Sequence, residues 1–182
     1  MTNIEETVTS SQRVFDGRII NLRVDTVVLP NGKTSRREIV EHRGAVAMVP
    51  MLDRGTVILV RQYRRAAAAS LLEIPAGTRD HDEDVEACAR RELAEEINYR
   101  PGRMVKLYHS YQAPGYSTEV IHTFLALDLT PTKGHTDEDE FLEIIPTPFA
   151  DALEKIKSGE IVDSKTISGL LFVERLLPDL EF

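Results

Sequence analysis

A mixed α/β (α+β) layered domain is predicted by three observations. Strand-like runs fill the first half of the chain, one strongly patterned helix interrupts them near residue 84, and two further helical patterns close the sequence. The first dozen residues are polar and are expected to fray. Leu22 to Leu29 alternates as a strand, Asn31-Gly32 is a hairpin turn signal, and Thr34 to Glu41 is its return strand. These residues form an N-terminal antiparallel β-hairpin element, taken as residues 1–43, ahead of a main domain over 44–182. Ala45 to Met51 and Thr56 to Tyr63 are rich in Val and Ile and read as strands. Leu71 to Pro75 is a short strand stopped by Pro75 and Gly77.

The helix that follows has Asp84 as its N-cap and runs to Ile97. Asn98 suits a left-handed stop, and Pro101 prevents continuation. Strands are expected near Val105 to Tyr111, Val120 to Leu127 and Phe141 to Ile145, with Thr130 to Asp139 as a long polar loop. Helices are expected from Pro148 to Lys157 and from Ser164 to Leu177.

Composition narrows the function classes. The 182 residues include 22 basic and 30 acidic side chains, a formal net charge of −8. Nucleic acid is therefore not an expected partner, since duplex binding needs clustered Lys and Arg. No apolar run approaches the ~20 residues of a membrane span, so no membrane partner is expected. The start, MTNIEETVTS, has neither the basic nor the apolar region of a secretory leader. Cys88 is the single cysteine, so an internal disulfide is impossible and a cytoplasmic location is the expectation. The five histidines show no ligand-like spacing, which argues against zinc.

The central helix carries the chemistry. At ~100° per residue, Val85, Ala89, Leu93 and Ile97 form one apolar stripe. Glu92 and Glu96 lie one turn apart, and Glu96 falls between Val85 and Ala89, roughly 20° from each. A carboxylate leaning on an apolar stripe is costly unless compensated. A hard cation compensates it, because Mg²⁺ takes one or two carboxylates together with substrate phosphate oxygens and water. Glu92, Glu95 and Glu96 therefore read as a magnesium site facing a phosphate-bearing substrate. The plainer alternative is a solvated acidic face paired with Arg90 and Arg91. Two features count against it: the shared edge with the apolar stripe, and a preceding glycine turn able to present backbone carbonyls.

Gly77, five residues, Glu83, seven residues, then Arg91-Glu92-Leu93-Ala94-Glu95-Glu96-Ile97 resembles the signature box of the Nudix hydrolase superfamily. Asn98 stands where the box has Gly, and Tyr99 where it has an aliphatic residue. Asn suits the same left-handed stop. Gln62-Tyr63-Arg64, Glu73-Ile74-Pro75-Ala76-Gly77, Ser110 to Gly115 with Pro114, and the acidic run Asp137 to Glu140 resemble the ADP-ribose pyrophosphatase branch.

That resemblance implies a Nudix fold, a mixed β-sheet sandwiched between helices, and hydrolysis of a nucleoside diphosphate linked to another moiety. For this branch it implies conversion of ADP-ribose to AMP and ribose 5-phosphate with Mg²⁺, or Mn²⁺ in its place. It further implies that Glu92, Glu96 and the backbone carbonyl of Ala76 ligate metal, that Glu95 serves a second or third ion, and that Arg91 pairs with a box glutamate such as Glu83 to hold the loop and helix in shape. Glu138 aligns with the general base and Glu140 with a metal ligand, although a shift of two residues swaps them. Arg64 matches a phosphate contact, Glu119 a contact to the terminal ribose, and Arg37 and Glu38 residues that hold adenine. Relatives in this branch are homodimers, and a homodimer is expected here.

Two alternatives stay open on sequence grounds. One is the same chemistry on a nucleotide sugar or a dinucleotide. The other is a non-catalytic ADP-ribose-sensing module, against which the complete set of box glutamates speaks.

Overall fold

Strand alternation in the middle of the chain builds a sheet with a core on each face. The computed structural model describes residues 3–133 and 141–180. Its elements are β1 (Thr7–Asp16), β2 (Ile20–Val28), β3 (Thr34–His42), β4 (Ala45–Asp53), β5 (Thr56–Arg64), β6 (Ala69–Glu73), β7 (Ala76–Thr78), α1 (Val85–Ile97), β8 (Tyr99–Tyr111), β9 (Val120–Pro131), β10 (Leu142–Pro148), α2 (Phe149–Ser158) and α3 (Ser164–Leu176). The chain divides into two compact units, Met1–Gly44 with Ser110–Val120, and Ala45–His109 with Ile121–Phe182.

The second unit holds a mixed sheet in the order β10-β5-β4-β9-β8, with β6 on β5 and β7 on β4. β4 runs parallel to β9 and antiparallel to β5 and β7. β4 is apolar almost throughout because both of its faces are covered. Ala45, Ala47, Val49 and Met51 pack with Phe149, Ala152, Leu170 and Val173 of α2 and α3. Val46 and Met48 pack in a second cluster with Cys88, Ala89, Leu93 and Ile97 of α1. The period of two sends alternate residues to opposite layers, so the sheet lies between α1 on one side and α2 and α3 on the other. Cys88 is wholly buried, and burial pushes its thiol up to about 12, which suits packing and not nucleophilic chemistry. No helix among the described residues is long and apolar enough to cross a membrane.

The first unit contains the antiparallel sheet β1-β2-β3. The expected hairpin is present, with Val28 opposite Thr34 and Gly32 at φ 78°. The expectation that the first dozen residues fray is corrected, because β1 pairs with β2 from Thr7 to Asp16. Every residue of β1 is exposed, so backbone bonding to β2 and not burial makes it a strand. Such a strand leaves no hydrophobic alternation to read.

Two further boundaries move. β8 begins at Tyr99, six residues before its expected start, and β9 extends to Pro131, into the expected loop. Pro101 is accommodated because β8 is an edge strand of its sheet. Residues 134–140 lie outside the described part, and with them Asp137, Glu138, Asp139 and Glu140 of the acidic run.

Candidate active site

Local signals place the glutamates. Asp84 accepts hydrogen bonds from the backbone N–H groups of Glu86 and Ala87 and starts α1. Asn98 ends it at φ 60°, with its backbone N–H donating to the Leu93 carbonyl. Within that frame Leu93 and Ile97 point into the core, and their neighbours Glu92 and Glu96 are drawn in with them, to 8% and 4% exposure. The Ala76 backbone N–H donates to Glu96 Oε2 at 3.1 Å, so the turn before α1 is tied to the helix edge.

Gly77 faces Glu92. A Cβ at this position would lie 2.0 Å from Glu92 Cδ and 2.2 Å from each carboxylate oxygen. Only glycine leaves room there for the carboxylate.

Arg91 organises the remaining acids. Its Nε and Nη2 donate to the two oxygens of Glu83 at 3.0 and 2.9 Å, and its Nη1 donates to Glu92 Oε1 and to Glu95 Oε2, each at 2.8 Å. A guanidinium fork on a carboxylate is a strong, shape-fixing contact. The bonds from Arg91 hold Glu83 down at about 2 and raise the arginine itself. Because the folded value lies below the ordinary 4.5, the stability from this pair is present above pH 4.5 and is lost as pH falls through about 2. Wild type should therefore exceed Glu83→Gln in unfolding free energy by on the order of 2 kcal/mol at pH 7, solvent screening included. Urea titrations at stepped pH should show that gap closing between pH 4.5 and 2.

The resemblance drawn from the sequence implies a divalent cation at this helix edge. Among the described residues no group of three or more His, Cys, Asp and Glu side chains is gathered as a cation site. Mg²⁺ does not require one, since two carboxylates with water and phosphate oxygens suffice. Glu92 and Glu96 are hard oxygen donors on one helix edge, and the missing side chain at Gly77 is what makes room for the Glu92 carboxylate. The donor set fits such an ion.

Arg64, at the end of β5, reaches the same region. Its Nε and Nη2 donate to Glu73 Oε1 and Oε2 at 2.9 and 2.7 Å, and the charge of Glu96 acts on it as well. A cavity of about 620 Å³ opens beside Glu96, lined by Arg61, Tyr63, Ser70, Asn98 and Phe141 among others. That size suits a small-molecule ligand.

The second unit thus brings together Ala76, Gly77, Glu83, Arg91, Glu92, Glu95, Glu96 and Arg64. The other three candidates belong to the first unit. Arg37 donates from Nε to Glu6 Oε2 at 2.9 Å, Glu38 is exposed on β3, and Glu119 lies 3.7 Å from His42 Nδ1. Sequence reasoning missed the buried Glu73 and its partner Lys165, which donates to Glu73 Oε2. A lone acid inside the apolar run Leu71-Leu72-Glu73-Ile74 was the available signal.

The Nudix domain family matches residues 41–168, well over half of the chain. The chain belongs to the Nudix family. Residues 6–40 match the nucleoside diphosphate sugar hydrolase N-terminal domain. The chain is 39% identical over 176 residues to an ADP-ribose pyrophosphatase of Bacillus subtilis (strain 168), covering 96% of this chain and 95% of that one. It is 38% identical over 149 residues to a GDP-mannose pyrophosphatase of Escherichia coli O139:H28 (strain E24377A / ETEC), covering 76% and 78%. A crystal structure of an ADP compounds hydrolase superposes with a TM-score of 0.87 over 98% of both chains at 24% identity, which establishes the Nudix fold, with its sheet between helices. The protein is a Nudix hydrolase.

Proposed function

We propose that this Nudix hydrolase cleaves the diphosphate bond of ADP-ribose, releasing AMP and ribose 5-phosphate, with Mg²⁺ as its cation and Mn²⁺ as a substitute. The observation that carries the proposal is the buried pair Glu92 and Glu96 on one edge of α1, facing the glycine turn. Likeness to an ADP-ribose pyrophosphatase along nearly the whole chain supports the choice of substrate.

In this reading Glu92, Glu96 and the Ala76 carbonyl hold the cation, with Glu95 and Glu140 serving further ions. Bound there, the cation would acidify a water and neutralise phosphate oxygens. Glu138 takes the proton of the attacking water, and a carboxylate within hydrogen-bond reach is what that step requires. Arg64 presents guanidinium N–H groups to the diphosphate, a donor geometry matched to paired phosphate oxygens. Arg91 and Glu83 keep the loop and helix in register, and Gly77 leaves Glu92 its place. Arg37 and Glu38 hold the adenine and Glu119 the terminal ribose.

Hydrolysis of a substrate panel with Mg²⁺ tests the assignment. ADP-ribose should be cleaved with the highest kcat/KM, GDP-mannose and dinucleotides more slowly, and nothing should be cleaved in excess EDTA. Preference for GDP-mannose would transfer the assignment to nucleotide sugars, a reading favoured by the GDP-mannose pyrophosphatase relative. Tight ADP-ribose binding without product would make the protein a sensor.

The working form is a homodimer located in the cytoplasm. The first unit supports the dimer, because Val8, Val14 and Phe15 of β1 and nearby Ile19 are all more than half exposed. Light scattering should give twice the 20.5 kDa chain mass, and a mass of one chain would contradict the dimer.

A further inference from the structure

We infer that Glu73 and Lys165 form a positioning pair that aims Arg64 at the diphosphate. The inference deepens the proposed function and rests on its assignment of Arg64 to the phosphates.

Glu73 is 1% exposed at the end of β6, and a lone carboxylate there would be very costly. Two cations meet it. Arg64 grips both of its oxygens, and Lys165, on the first turn of α3, donates to Oε2. Lys165 also lies 3.0 Å from Asp163 Oδ2. Asp163 is the N-cap of α3 and accepts from the Thr166 backbone N–H and hydroxyl at 2.9 and 2.6 Å. Thr166 Oγ1 in turn accepts from the Ile74 backbone N–H at 2.9 Å. The end of β6 is therefore fastened to the first turn of α3 by one side-chain link and one backbone link.

This arrangement suits a guanidinium that must bind an anion. Of five N–H groups, Arg64 spends two on Glu73, so the plane is fixed along one edge and three N–H groups point elsewhere. Lys165 offsets Glu73 and Asp163 in turn offsets Lys165, so the four side chains together are neutral, and what Glu73 and Lys165 supply to Arg64 is a fixed plane and not added charge. A purely structural link at this place would be served as well by apolar residues, which commonly replace buried ion pairs without loss of stability.

The test is a double-mutant cycle on the full-length protein with Mg²⁺, using whichever of ADP-ribose or GDP-mannose the wild type cleaves faster. Glu73→Gln should raise KM by ~10-fold, with kcat changed less. In an Arg64→Ala background the same substitution should change kcat/KM by less than about twofold, because the group it positions is gone. Mn²⁺ affinity, read by calorimetry, should be unchanged by Glu73→Gln.

Wild-type kinetics of Glu73→Gln, equal effects in the two backgrounds, or a fall in Mn²⁺ affinity would each overturn the inference. The last result would show that Glu73 acts through the segment 73–76, which leads to the Ala76 carbonyl, and not through Arg64. If Arg64→Ala itself has wild-type kinetics, the assignment of Arg64 to the phosphates falls, and the inference with it. If Arg64→Ala is impaired and the effects multiply, only the inference falls. Should Glu73→Gln fail to fold, Lys165→Met carries the same cycle, with Lys165→Arg expected to restore KM.

Discussion

Replacing Glu96 with Gln is expected to lower kcat by roughly 10³-fold, the ~4 kcal/mol of transition-state stabilisation attributable to one cation ligand. The substitution keeps the shape and one carbonyl oxygen, so the bond from the Ala76 N–H, 3.1 Å in the wild type, can persist. Neutralising a side chain at 4% exposure also removes a buried charge, so the unfolding temperature should hold or rise. Loss of activity with retained stability separates a metal ligand from a structural acid, since breaking a buried structural ion pair usually destabilises. Stopped-assay turnover with saturating Mg²⁺, alongside calorimetric melting, reads both quantities. A variant with wild-type kcat would remove Glu96 from the cation site.

How far the site could be read from sequence differs by residue. The limits of α1 were legible because Asp84 and Asn98 are local signals whose geometry depends only on near neighbours. The burial of Glu96 was legible for a similar reason, since helical angles place it between Val85 and Ala89, on the edge it shares with Glu92. The two faces of β4 and β5 were legible as apolar runs, but not which helix covers which face. β1 was not legible, because all of its side chains are exposed and its cause is the bonding edge of β2. The Glu73–Lys165 contact was equally hidden. Its members are 92 residues apart and meet only after β6 and α3 have packed.

Gly77→Ala carries the second large effect. The added methyl would sit 2.0 Å from Glu92 Cδ, so the carboxylate must move. Glu92 is the flexible end of a side chain and can swing aside, which keeps the cost to folding modest, ~1–3 kcal/mol. Swinging aside takes Glu92 from its bond with Arg91 Nη1 and from the edge it shares with Glu96. Activity should therefore fall at least ~10²-fold, because displacing a catalytic group by about 1 Å costs that much. Mn²⁺ affinity should fall in parallel. Glu95, which also bonds to Arg91 Nη1, should be disturbed less, because the three atoms nearest the added methyl all belong to Glu92. Kinetics and Mn²⁺ calorimetry on this variant check the claim, and wild-type values in both would show that Glu92 has a second competent position.

The most direct measurement is an anomalous difference map from crystals soaked in Mn²⁺ with a non-hydrolysable ADP-ribose analogue. The account predicts a manganese peak with Glu92 and Glu96 oxygens at about 2.1 Å and diphosphate oxygens completing its shell. A map with the analogue bound and no peak against either carboxylate would contradict it.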